Sequence, residues 1–101
     1  MKLRAIAHSR TGDKGRVLNI SVIAFDEVDY PRLEREVTPE RVRAHLSAVI
    51  AGDVVRYELP HLGALNFVLT RAPGESVTRT LGLDAHLKSL SSALLDMEIP
   101  E

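Results

Sequence analysis

From Leu18 to Val22 apolar and polar residues alternate strictly, and a period of two is the signature of a strand with only one side buried. Leu18, Ile20, Val22 and Ala24 form the apolar side of a strand running from Val17 to Phe25, with Asn19 and Ser21 on the other. A strand of this kind belongs to a sheet that packs one face and wets the other, which is the habit of antiparallel sheets. The chain must therefore supply partner strands and something apolar to cover one face.

Residues 2–9 also alternate, with Leu3, Ala5 and Ala7 opposed to Arg4, Ile6 and His8, so a first strand is predicted there. Thr11-Gly12-Asp13-Lys14-Gly15 then reads as a turn, because two glycines bracket Asp-Lys and permit positive φ. The two strands make a hairpin. Tyr30–Val37 is charged and short enough for one helical turn. Thr38-Pro39 starts a helix, Thr as N-cap and Pro at the first position, and Gly52 ends it after about Ala51. Val42, Leu46, Val49 and Ile50 are its apolar stripe.

Two further strands follow. Val54–Leu59 sets Val55, Tyr57 and Leu59 against Arg56 and Glu58, and Ala64–Leu69 sets Leu65, Phe67 and Leu69 against Asn66. Pro60-His61-Leu62-Gly63 joins them. Ala72-Pro73-Gly74 is a loop and Val77–Leu81 a short extended piece. Asp84 caps a second helix over 84–95 with the stripe Leu83, Leu87, Leu90 and Leu94, and Met97-Glu98-Ile99 forms a last strand. Without the first strand the order is β-α-β-β-α-β. The expectation is an α+β, ferredoxin-like sandwich over residues 1–101: an antiparallel sheet, two helices on one face and an extra N-terminal strand.

Composition narrows the function. Thirteen basic against fourteen acidic residues leave a net charge of −1, so no global field attracts nucleic acid, and none is predicted as a partner. No run nears the ~20 apolar residues of a membrane helix, so no membrane association is expected. The chain contains no cysteine, which removes disulfides, thiol nucleophiles and zinc–cysteine sites and fits a cytoplasmic location. No histidine spacing marks a metal, and no cofactor is predicted. His8 and Ser9 are neighbours in a strand and point to opposite faces, so they form no Ser-His dyad. The catalytic residues, if there are any, are unknown from sequence.

Three segments carry a resemblance. They are His8-Ser9-Arg10-Thr11-Gly12-Asp13-Lys14-Gly15 with Asn19-Ile20, the run from Arg56 to Phe67, and Leu81-Gly82-Leu83-Asp84 with Lys88 and Met97-Glu98-Ile99. Together they resemble the AtuA-like ferredoxin-fold domain, the C-terminal domain of acyclic terpene utilisation proteins, here as a stand-alone chain. Thr11 stands where the family usually has Ser, His61 where Asn is commoner and Leu87 where Gly is usual. The resemblance implies a large AtuA-like chain as partner or an independent small protein, with a link to terpenoid or acyl-CoA catabolism. It identifies no catalytic residue.

Two functional readings stand side by side. In one, the domain is a non-catalytic accessory or oligomerisation module, since a one-layer sheet leaves a face and edges uncovered and invites a homo-oligomer, C2 by preference. In the other, Thr11, Gly12, Asp13, Lys14 and Gly15 form an anion-binding nest that joins Asn19, Glu58 and Asn66 on the uncovered face to bind a small anion or acyl-CoA, with or without chemistry. The bland alternative for the turn is a solvated hairpin whose glycines serve geometry. For the face it is plain solvation, with Arg56 and Glu58 paired. The aromatics Phe25, Tyr57 and Phe67 are assigned to the helix side.

Overall fold

The alternation around Ile20 is realised as a central strand in a computed structural model that describes residues 1–14, 17–71 and 87–100. Strand β1 (Ala7–Lys14) pairs antiparallel with β2 (Val17–Ala24). On its other side β2 pairs with β4 (Ala64–Arg71), and β4 pairs with β3 (Ile50–Leu59), again antiparallel. The sheet order is β1-β2-β4-β3. Helices α1 (Tyr30–Glu36) and α2 (Pro39–His45) lie between β2 and β3 in the chain, and α3 (Leu87–Leu95) follows β4. Leu18, Ile20, Val22, Leu65, Phe67 and Leu69 are buried beneath helix residues Leu33, Val42, Leu90 and Leu94, so the core lies on one side of the sheet. This is an α+β fold of the ferredoxin-like type.

Several boundaries differ from the sequence reading. The first strand runs over 7–14, not 2–9, because Leu3 and Ile6 are both buried and their spacing of three suits the 3-10 turn Leu3–Ala5. The expected turn at 11–15 is consequently strand as far as Lys14, which pairs with Val17. The helix predicted over 39–51 stops at His45, since Leu46 leaves helical geometry and the chain enters β3 at Ile50. The stripe residues Leu46, Val49 and Ile50 are still buried, from a turn and a strand instead of a helix. Gly52, with φ +76°, is no helix C-cap; it sits in β3 where the pairing shifts between Ala51 and Val55. Two start signals hold. Thr38 caps α2, its Oγ1 accepting from the Arg41 N–H at 3.2 Å, and Pro39 occupies the first turn.

The segment Met97–Ile99 does not close the sheet. In β-α-β-β-α-β order the last strand would lie beside the first, but β1 already holds that flank of β2. Residues 97–99 instead pair antiparallel with residues 1–3: Leu3 N–H donates to the Met97 carbonyl and Ile99 N–H to that of Met1, each at 2.9 Å. The Ala72-Pro73-Gly74 loop, the Val77–Leu81 piece and the Asp84 cap fall outside the described residues.

Candidate functional site

The pairing register decides which side chains can meet. Leu65 and Phe67 lie in the core, so their partners Glu58 and Arg56 share the helix-covered side. Tyr57 and Val55 pair with Asn66 and Val68 and share the side that no helix among the described residues covers, the uncovered side, where Tyr57 is 53% and Val55 47% exposed. The sequence reading had β3 the other way round. The reason for the inversion is local. The 3-10 turn Pro60–Leu62 and Gly63, in the left-handed region at φ +60°, set Leu59 opposite Ala64 and so fix the side of each residue behind them. Arg56 then fills a place at the rim of the core, where its Nη1 donates to the Glu34 carbonyl at 2.7 Å and the Val37 carbonyl at 3.0 Å. These are carbonyls at the C-terminal end of α1, which has no further helical partner to offer them. Glu58 pairs with Arg56 at 3.4 Å.

The expected site residues are divided by the sheet. Gly12, Asn19 and Asn66 come together on the uncovered side: Gly12 pairs with Asn19, and a Cβ at Gly12 would touch the Asn19 amide at 3.5 Å. Ser21, beside them, donates to Asn66 Oδ1 at 3.4 Å. Thr11 pairs with the core residue Ile20, and its hydroxyl is hydrogen-bonded to the buried Ser91 hydroxyl of α3. Thr11 and Glu58 are thus on the covered side and cannot share a pocket with Asn19 and Asn66. Asp13 and Lys14 belong to β1, paired with Leu18 and Val17, and Gly15 lies outside the described residues.

The register also assembles a set that sequence reading missed. Arg10 pairs with Ser21, Ser21 with Asn66, and Asn66 with Tyr57, giving one straight polar row across all four strands. One flanking row is Gly12, Asn19, Val68 and Val55; the other is His8, Ile23, Ala64 and Leu59. Arg10 and Tyr57 escaped detection because the first strand was set too early and the sides of β3 were exchanged. Of the aromatics, only Phe67 faces the helices. Phe25 is 64% exposed and stacks on His8 with ring centres 5.4 Å apart.

Elsewhere the chemistry is sparse. Tyr30 is buried, its hydroxyl without a hydrogen-bond partner among the described residues. Burial raises its pKa, and the carboxylates of Glu34 and Glu58 push it in the same direction, so the phenol stays neutral. A shallow cleft of about 400 Å³ is lined by Arg41, Ala44, His45, Met97 and Glu98, and another of about 360 Å³ lies at Pro39, Glu40, Arg43, Asp53, Val54 and Val55. Neither is lined by the expected site residues. Among the described residues no three His, Asp or Glu gather in a metal-binding set, and no helix is long and apolar enough to cross a membrane.

No curated protein and no solved structure matches the chain. The family model of the AtuA ferredoxin-like domain matches residues 1–100. The one-sided sheet, its β-α-β-β-α core and that match agree, and the chain belongs to the AtuA ferredoxin-like domain family.

Proposed function

We propose that this domain is a non-catalytic docking module that binds protein through its uncovered sheet face. The observation that carries the reading is the partition of that face: Val17, Val55 and Tyr57, each about half exposed, surround a core of short polar side chains. Apolar residues in this number on the wet side of a small sheet gain from being covered, and short amides and hydroxyls among them give a partner fixed hydrogen bonds. The separation of Thr11 and Glu58 from Asn19 and Asn66 weighs against a ligand pocket built from the same residues. Family membership supports placing the module beside an AtuA-type large chain, in terpenoid or acyl-CoA catabolism, when it is not bound to itself.

Light scattering of the purified chain at micromolar concentration tests the reading. A mass above that of one chain is expected, and Tyr57→Lys, which adds a charge like that of Arg10 to the same face, should return it to one chain while circular dichroism stays unchanged. A strictly monomeric mass, together with failure to co-purify with an AtuA-type large chain, would overturn it.

A further inference from the structure

The polar row across the uncovered face is matched to itself. We infer that the occupant of this face is a second copy of the chain, docked face to face on a two-fold axis that runs along the strands between β2 and β4. This rests on the docking reading above and adds to it the partner and the register.

The argument begins with the row Arg10, Ser21, Asn66 and Tyr57. A closed dimer of two sheet faces requires its two-fold axis to lie in the plane between them. An axis along the strands lays β1 over the partner's β3 and β2 over its β4. Arg10 then meets the partner's Tyr57, a guanidinium over an aromatic ring, and Ser21 meets the partner's Asn66. Both contacts occur twice by symmetry. An axis across the strands lays β1 on β1 and sets Arg10 against its own copy, two like charges with no counter-charge in that row. Only the first arrangement pairs every member of the row with a complement.

The groups are also free to bond across. The Ser21–Asn66 hydrogen bond is long, at 3.4 Å, and an asparagine amide has two donors and two acceptor lone pairs. Gly12 carries no side chain beside the Asn19 amide, so the partner's Val55, which lies over Gly12 in this arrangement, has room to approach. The size is sufficient as well. Four strands at ~4.8 Å spacing and eight paired residues at ~3.3 Å rise give a face on the order of 500 Å² per protomer. Two such faces bury ~1,000 Å², the lower bound of a specific protein interface.

Absence of native cysteine makes the register directly testable. Arg10→Cys and Tyr57→Cys chains are prepared singly, then treated with a short bis-maleimide alone and as a mixture. Across the two-fold axis residue 10 lies over residue 57 of the partner, while two copies of residue 10 are displaced by three strand spacings, about 14 Å, besides the separation of the sheets. The mixture should give a cross-linked dimer, and each variant alone should give at least tenfold less. The mixed dimer keeps one native Arg10–Tyr57 contact, so the substitutions do not remove what they report on. Cross-linking of Arg10→Cys with itself and not with Tyr57→Cys would overturn the register yet leave the docking reading intact. A wild-type chain that is monomeric by light scattering would overturn the self-docking and leave the docking reading to the co-purification test, and a dimer unaffected by Tyr57→Lys would overturn the proposed face and register.

Discussion

Thr11 shows how a polar residue in a motif-like stretch can serve the core instead of a ligand. Its hydroxyl and that of Ser91, which is only 6% exposed, satisfy one another between β1 and α3. Removing one member leaves the other buried without a partner, whereas removing both leaves an apolar contact. Thr11→Val is therefore expected to cost about 1–3 kcal/mol, and Thr11→Val with Ser91→Ala to recover most of that loss in urea denaturation. If the pair contributed nothing, the two single variants would add in the double. Thr11 was legible as a small hydroxyl residue and illegible as a core one, because the alternation was read as ending at residue 9, five residues short of the strand's end, and Thr11 as part of a turn.

At the scale of elements, the start of α2 was readable and the sides of an edge strand were not. Thr38-Pro39 marks the start of α2 by chemistry that acts within one turn, so sequence neighbours suffice to see it. The side of β3 is set by the geometry of the link to β4, and its alternation reads equally well inverted. Arg56 is the case in point. It is a strand residue whose guanidinium holds the C-terminal carbonyls of α1 and so ties helix to sheet. Arg56→Ala should lose roughly 2 kcal/mol of stability, with Glu58 left unpaired as part of that cost. Chemical denaturation reads the change, and Arg56→Lys should recover only part because a lysine reaches one carbonyl at a time. Glu36, also in α1, adds a pH dependence. Arg35 donates to its carboxylate, and the Arg35 and Arg41 charges add to the effect, so it titrates below the ordinary glutamate range despite an opposing contribution from burial. A carboxylate with a lowered folded pKa stabilises fully above its unfolded value, and that share disappears as pH falls through the folded one. Denaturation midpoints measured across the acid range should thus fall less steeply for Glu36→Gln than for the parent chain.

Over the whole molecule, the layer arrangement followed from the sequence because one-sided strands and apolar stripes admit few packings. What did not follow was the use of the two chain ends. The order of elements reserved the flank of β2 for residues 97–99, but β1 takes it, and the displaced segment finds residues 1–3. The clasp joins antiparallel partners in the sense that Met1 meets Ile99 first and Leu3 meets Met97 last. That order has a mechanical consequence. Tension applied at residues 1 and 99 loads the outermost hydrogen bond alone, then the next, so the clasp opens as a zip at low force instead of resisting in shear. Behind it, Leu3 and Ile99 leave the core and the hairpin of β1 and β2 meets the load only after the clasp has parted. A tug on both ends would therefore loosen this domain from its corner, well before its sheet is broken.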